Sequence, residues 1–215
     1  MDRHQGSGGV SDFDHPIFTE SVRRIRGWLG PTGLEGVEQE LLERLVHSSG
    51  DLTLAGDLVC SPGACAAGMA ALAGGTAILT DTAMAAAAVA PMARRTFANP
   101  VHGVLAWAPE RAPAGGTRSA EGMERALAAH PRAVVLVGSA PTALDRLLEL
   151  VAAGAVAPAL VIGMPVGFVG VAESKRRLAL SGLPQIRLDG SRGGAGLVAA
   201  AVNALLRRAW LDQAA

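Results

Sequence analysis

The sequence predicts an α/β protein, a single-domain fold of three layers in which a mostly parallel, open sheet carries helices on both faces. Short, uninterrupted apolar runs, such as residues 133–137 and 159–162, are typical of strands that are covered on both faces. Between these runs, apolar residues recur at helical spacing, and strands that alternate with helices form parallel sheets. A length of 215 residues suits one such domain.

Composition excludes several classes of protein. The apolar stretches are shorter than the roughly 20 residues that a membrane span needs. With a formal net charge of zero and only 3% aromatic residues, the chain shows no basic stripe or stacking platform for nucleic acid. Residues 1–14 lack an apolar core and are expected to be a disordered leader, with the domain in residues 15–215. We therefore expect a cytoplasmic protein without a membrane or nucleic-acid partner.

Cys60 and Cys65 are the only two cysteines, and they flank a Ser-Pro-Gly turn. No further cysteine or suitably spaced histidine pair completes a metal signature. The sequence therefore predicts no metal site and two free, buried thiols in a reducing compartment.

The first helix is expected from Pro16 to Leu29, because residues 18, 22, 25 and 29 are apolar and fall on one helical face. Ser21 lies at the edge of that face. Its hydroxyl can reach a ligand or bond to a carbonyl of its own helix, and the second outcome is the commoner.

A second helix is expected over residues 36–48, and His47 falls in its last turn, nearly opposite the apolar stripe. Imidazole is the one side chain whose unperturbed pKa lies near physiological pH, so His47 is the best candidate for acid/base work. The alternative is a surface histidine that the helix C-terminus stabilises as imidazolium.

The remaining elements continue the alternation. Strands are expected at residues 76–80, 101–107, 133–137, 159–162 and 186–188. Ser61 is the expected N-cap of a third helix, and Asp81 and Thr82 should cap a fourth that Pro91 ends. Thr142 should open the helix that follows the strand at 133–137.

Several helix starts resemble anion sites and should meet at the carboxyl edge of one sheet. They lie at residues 117–119, 138–142, 163–170 and 190–196. Arg118 stands at the positive end of a helix dipole, which is unfavourable unless an anion binds there, and Arg192 adjoins a glycine-rich helix start. These features predict a large ligand with several anionic groups.

One apparent nucleotide motif is rejected. Gly194, Gly196 and Ala199 match G-x-G-x-x-A, but that fingerprint belongs at the first βα turn, with a second strand and an acidic residue after it. The chain ends before either could occur. The interpretation of the chain as a nucleotide-dependent α/β enzyme would depend on this pattern alone.

The same segments resemble the precorrin-8X methylmutase family of corrin biosynthesis over about residues 16–206. The longest matching segment reads GMPVGFVG at residues 163–170 and runs on through Glu173-Ser174-Lys175. The others are residues 17–21, 46–50, 80–84, 117–120, 140–144, 192–194 and 200–205.

The resemblance implies an isomerase that moves a methyl group from ring carbon eleven to ring carbon twelve of a corrin precursor, without an external methyl donor or a cofactor. It also implies a homodimer whose tetrapyrrole lies near the subunit interface. His47 looks like the family's catalytic histidine, which protonates the tetrapyrrole. The implied substrate-binding residues are Ser21, Thr117, Arg118, Ser119, Arg192 and Gly193.

The chain departs from the family pattern at three positions. Phe18 stands where many relatives have tyrosine, Ser139 where they have Gly-Asn, and Ser191 where a basic residue is usual. The departures leave a second interpretation open, a corrinoid-binding or carrier paralogue without turnover. His47 discriminates between the two, because a binding protein needs no proton donor.

Overall fold

The computed structural model of the protein describes residues 13–214. The strands are β1 (Leu58–Cys60), β2 (Ile78–Thr80), β3 (Val101–Gly103), β4 (Val134–Val137), β5 (Leu160–Gly163) and β6 (Gln185–Leu188). The helices are α1 (Pro16–Leu29), α2 (Gly36–Ser49), α3 (Ala64–Ala73), α4 (Ala83–Arg95), α5 (Arg118–Ala129), α6 (Pro141–Ala152), α7 (Val171–Ala179) and α8 (Ala195–Ala214). None of these helices is both long and apolar enough to cross a membrane.

The six strands form one open sheet in the order β1-β6-β5-β4-β2-β3. All neighbouring strands run parallel except β1, which pairs antiparallel with β6. The mostly parallel sheet predicted from the sequence is confirmed. Because five strands are parallel, their carboxyl ends meet at one edge, which we call the carboxyl edge.

Alternate residues of the strands supply two separate cores. Val134 and Leu136 of β4 pack in the cluster with α2, α3, α4 and α8, whereas Val135 and Val137 pack in the cluster with α5, α6 and α7. All four are fully buried. Burial on both faces explains why β4 is apolar at every position and confirms the predicted three layers.

Helix α8 is the centre of the first core, where it packs against α2, α3 and α4. Its alanine-rich sequence keeps its side chains small, so neighbouring helices approach closely. A β carbon added to Gly68 of α3 would lie 2.6 Å from Leu160 Cδ2 and 3.2 Å from Leu205 Cδ1. Glycine at this position therefore lets α3 lie directly on the sheet and α8.

Two local signals gave wrong helix boundaries. Pro91 does not end α4, which continues to Arg95 because Pro91 is exposed while Val89 and Ala93 stay on the buried side. Tertiary packing of that side outweighs the cost of proline in the helix. Ser61 is not an N-cap either, because Gly63 has that position and the Ser61 hydroxyl accepts the Gln185 N–H at 3.0 Å.

The strand expected at residues 101–107 is shorter than predicted, and β1 was not predicted. β3 ends at Gly103, and residues Val104–Ala106 form a 3₁₀ turn beneath α5. A β carbon on Gly122 of α5 would lie 2.3 Å from the Val104 carbonyl oxygen, so the chain turns away beneath the helix. With three residues, β1 is too short for its alternation to be read from the sequence.

The Asp81 carboxylate caps a different helix from the one expected. Thr82 alone caps α4, whereas Asp81 reaches across from the end of β2 to the start of α6. Its oxygens accept the backbone N–H groups of residues 138–140 at 2.6–3.1 Å. Thr142 is not an N-cap, because α6 begins at Pro141. Asp81 is 2% exposed, so this is a buried polar link between β2 and β4.

The expected leader lies mostly outside the described residues. Its last two residues contact the domain: the Arg95 guanidinium lies 3.9 Å from the Phe13 ring centroid, and Asp14 forms an ion pair with Arg207 of α8.

We predict that Asp81→Ala lowers the free energy of unfolding more than Thr82→Ala does. Asp81→Ala leaves three backbone N–H groups without their buried acceptor, which should cost about 2–3 kcal/mol. Thr82→Ala removes one ordinary N-cap bond, worth about 1 kcal/mol. Urea denaturation of both variants measures the difference. Equal losses of unfolding free energy would show that the Asp81 carboxylate contributes no more to stability than an ordinary N-cap.

Candidate functional site at the carboxyl edge

Three loops pack backbone against backbone at the carboxyl edge. A β carbon on Gly138 would lie 2.8 Å from the Gly194 carbonyl, and one on Gly193 would lie 1.9 Å from the Met164 carbonyl oxygen. The Gly194 N–H donates to the same Met164 oxygen at 2.9 Å. Gly193, expected in the substrate-binding set, therefore has a packing reason to be glycine.

Lys175 fixes the loop between β6 and α8 from beneath. It is the only lysine in the chain and is 1% exposed. Its Nζ donates to the carbonyl oxygens of Gly190 at 2.8 Å and of Arg192 at 2.7 Å. Desolvation by burial lowers its pKa to about 8.

His47 and Ser21, which the sequence placed on separate helices, meet at the end of α2. The Ser21 Oγ lies 2.9 Å from the His47 Nδ1. The hydroxyl donates to Nδ1 of a neutral imidazole and accepts from Nδ1–H of an imidazolium. In both states Nε2 remains the nitrogen that can exchange a proton with a ligand. Ser21 therefore uses its hydroxyl on His47 and not on its own helix.

A partly buried ion pair fixes the spacing of α1 and α2. Arg26 of α1 donates to both carboxylate oxygens of Glu43 at 2.7 and 2.9 Å, and Gln39 donates to Glu43 at 2.9 Å. Glu43 is 1% exposed, so it needs these partners. Because Arg26 and Ser21 lie on one helix, this pair holds Ser21 opposite His47.

The surroundings of His47 make its imidazolium a stronger acid. Desolvation by burial and, second, the positive charge of Arg44 lower the pKa of His47 below its ordinary value of 6.5. Phe18 packs edge-on against the imidazole with ring centroids 5.2 Å apart, and the Arg44 guanidinium lies 4.4 Å from the Phe18 centroid. Phe18 thus supplies an apolar wall to the imidazole.

The other predicted hydroxyls gather at the start of α5. The Thr117 Oγ1 accepts the Ala120 N–H, as predicted for an N-cap, and lies 2.8 Å from Thr142 Oγ1 and 3.2 Å from Ser119 Oγ. Arg118 is exposed and donates from Nε to the Pro109 carbonyl oxygen at 2.9 Å. Its two terminal guanidinium nitrogens make no hydrogen bond to the residues the structure describes.

Arg192 is already paired with carboxylates of this chain. Its Nη atoms lie 2.8 Å from Asp51 Oδ2 and 2.5 Å from Asp57 Oδ2, and it also donates to Thr53. An anionic ligand at Arg192 would compete with both aspartates. The pairing also ties the loop after β6 to the chain segment that follows His47.

The predicted residues thus form three groups: His47 with Ser21, Arg118 with Thr117 and Ser119, and Arg192 with Gly193. No hydrogen bond between residues 13–214 joins one group to another. Two contributors were missed, Arg44 and Lys175. Lys175 could have been found, because it falls between Val171 and Leu178 on the buried face of α7.

This arrangement defines the class of protein: an α/β protein with its candidate site at the carboxyl edge of a parallel sheet, where such folds bind ligands. Residues 16–208 match the model of the family described as precorrin-8X methylmutase. The chain belongs to that family, and the resemblance found in the motifs is confirmed. Methylmutases are intramolecular transferases, which are isomerases.

Individual relatives match over most of their length. A Synechocystis protein named cobalt-precorrin-8 methylmutase is 38% identical over 213 residues, which cover 93% of this chain and 98% of the relative. Precorrin-8X methylmutase of Pseudomonas aeruginosa is 45% identical over 194 residues, 88% and 93% of the two chains. A crystal structure of precorrin-8X methyl mutase from Thermus thermophilus gives a TM-score of 0.83 at 36% identity and covers 92% and 97%.

We predict that Arg44→Gln raises the pKa of His47 towards its ordinary value. The substitution removes a positive charge that disfavours the imidazolium, while desolvation, the larger cause, remains. The imidazole C–H resonances of His47, followed by NMR between pH 4 and pH 9, measure the change. Arg24→Gln, on the exposed face of α1, is the control and should leave the titration unmoved.

We also predict that Lys175 makes stability increase with pH. Its folded pKa of about 8 lies below the ordinary 10.5, so between these values the unfolded chain binds the extra proton and the fold gains stability as pH rises. Lys175→Met should remove this gain. Urea denaturation from pH 7.5 to pH 11 compares the two proteins, both carrying Cys60→Ser and Cys65→Ser so that no thiol titrates. Parallel curves would contradict the lowered pKa.

Proposed function

We propose that this protein moves a methyl group from ring carbon eleven to ring carbon twelve of precorrin-8X or cobalt-precorrin-8, giving hydrogenobyrinate or cobyrinate in cobalamin biosynthesis. Membership of the methylmutase family supports the reaction class. The observation that carries the assignment of residues is the Ser21–His47 pair at 2.9 Å. It presents an oriented imidazole beside an edge with several anion-binding groups.

In this proposal His47 is the general acid. Its imidazolium donates the Nε2 proton to a ring nitrogen or the adjoining ring system of the tetrapyrrole, while Ser21 accepts from Nδ1–H and keeps the ring oriented. The lowered pKa of His47 favours release of that proton. The methyl group comes from the same molecule that receives it, so the reaction requires no external methyl donor and involves no net oxidation or reduction.

The remaining residues are proposed to bind the acidic side chains of the tetrapyrrole. Arg118 offers its guanidinium at the N-terminus of α5, where the helix dipole adds to its attraction for a carboxylate. Thr117 and Ser119 offer hydroxyls beside it, and Arg192 with Gly193 borders the edge further along the sheet. In the part of the chain that the structure describes, the three groups of residues do not contact one another, and a ligand as broad as a tetrapyrrole could reach more than one of them.

We further propose that the protein acts as a homodimer in the cytoplasm. Phe168 and Val169, in the loop after β5, are 96% and 88% exposed. Two adjacent apolar side chains at the carboxyl edge suit a surface that a second subunit or the tetrapyrrole covers. Light scattering on the purified protein measures the subunit number.

A carrier without turnover is the second candidate, suggested by Phe18 where many relatives have tyrosine. The contact of Phe18 with His47 supports the enzyme. The Phe18 ring packs against the imidazole and shields one side of it from water. A binding protein gains nothing from an oriented proton donor. Mixing the protein with precorrin-8X decides between them: a product spectrum supports the enzyme, and a bound, unchanged chromophore supports the carrier.

We predict that His47→Ala and Arg118→Ala fail differently. His47→Ala removes the proton donor but keeps the anion-binding groups, so turnover should fall about 10²–10⁴-fold while the tetrapyrrole still binds. Arg118→Ala removes a charge-assisted bond worth about 1.5–3 kcal/mol, so affinity should fall roughly ten- to 150-fold. Absorption assays give turnover, and equilibrium titration gives affinity.

Arg132→Ala is the matched control, because this exposed arginine precedes β4 at the opposite edge of the sheet. It should match the parent in both assays. Normal turnover in His47→Ala, or unchanged affinity in Arg118→Ala, would show that the role assigned to that residue is wrong.

A further inference from the structure

We propose that Glu38, Cys60 and Cys65 form a binding site for a thiophilic divalent cation of the zinc class. One ligand atom from each residue lies within 4.8 Å of the other two. The site is separate from the proposed function, because Cys60 ends β1, which runs antiparallel to β6, and therefore lies at the edge opposite the methylmutase residues.

Three different elements bring the ligands together. Glu38 lies in the first turn of α2, Cys60 is the last residue of β1, and Cys65 lies in the first turn of α3. The turn between the cysteines is fixed at Ser61, whose N–H donates to the Gln185 carbonyl oxygen at 2.9 Å. Gly63 completes the turn at a φ of 75°, which suits glycine.

The ligand chemistry suits zinc. Two thiolates and one carboxylate are ligands that Zn²⁺ prefers. With Zn–S bonds of about 2.3 Å and Zn–O bonds of about 2.1 Å, a tetrahedral site holds its ligand atoms about 3.5–3.8 Å apart. Atoms already within 4.8 Å need to close by only about 1 Å. Solvent would fill the fourth position. Cys65 is buried, whereas Glu38 and Cys60 are partly exposed and leave an entrance.

Metal binding at this site requires only that the two thiols lose their protons. Binding exchanges two thiol protons for one M²⁺, so both protons pass to solvent and no oxidant or reductant is needed.

Glu38 explains why the spacing of the cysteines did not reveal the site. It precedes Cys60 in the chain by more than a helix length, so no motif contains all three ligands. The sequence therefore predicted no metal site, and only the packing of α2 against the α3 side of the sheet adds the third ligand.

Titration of the reduced, full-length protein with Co²⁺ under argon tests the proposal. We expect thiolate-to-cobalt charge-transfer absorption in the near ultraviolet that saturates at one Co²⁺ per chain and is displaced by Zn²⁺. Cys65→Ser and Cys60→Ser should each abolish the saturating band. Glu38→Gln should weaken affinity by about tenfold or more, because loss of even an outer partner has that effect at metal sites.

Glu35→Gln is the control from the exposed start of the same helix and should bind Co²⁺ as the parent does. Thermal melts establish that each variant is folded. Methylmutase turnover should be unchanged in Glu38→Gln, so failure of the metal site and failure of the proposed function are distinguishable. No saturating band in the parent, an unchanged band in Cys65→Ser, or a Cys60–Cys65 disulfide in the metal-free protein would each overturn the proposal.

Discussion

The close packing of backbone against backbone at the carboxyl edge is the constraint on which the candidate site depends. Gly193 lies on the Met164 carbonyl and Gly138 lies on Gly194, so the loops after β4, β5 and β6 leave no room for a side chain at either glycine. Two buried polar groups complete this edge. Asp81 satisfies the start of α6, and Lys175 satisfies the carbonyls of the loop before α8. Backbone packing and buried hydrogen bonds therefore define the arrangement of all three loops.

Away from the carboxyl edge, the charged and titratable side chains differ in how deeply they are buried. The Arg26–Glu43 pair is partly buried and sets the position of α1, whereas the exposed Arg118 makes one bond to a backbone carbonyl. His47 lies between these extremes: it is exposed at a helix end, yet Phe18 covers one side of its ring. This partial cover and the charge of Arg44 lower the pKa of His47 while the ring stays open to solvent.

Local signals predicted elements well and their ends less well. The helical face of α1 and the apolar run of β4 were confirmed because burial on one side or on both leaves a direct periodicity in the sequence. Pro91 and Thr142 misled, since a stop signal and a capping pattern describe only nearby residues. In the fold, packing against α8 carries α4 through Pro91, and the distant Asp81 takes the cap that Thr142 was expected to provide.

The sequence by itself determined the fold class, the helices that carry the candidate residues, and the position of His47 off the apolar stripe, because each follows from spacing within one element. Only the tertiary structure decided which residues meet. Ser21 and His47 are 26 positions apart, and no local pattern predicts their hydrogen bond. Likewise, the two aspartates that neutralise Arg192 precede it by most of the chain. Such contacts depend on how whole helices and strands pack, which is set by the burial of two cores and not by any one segment.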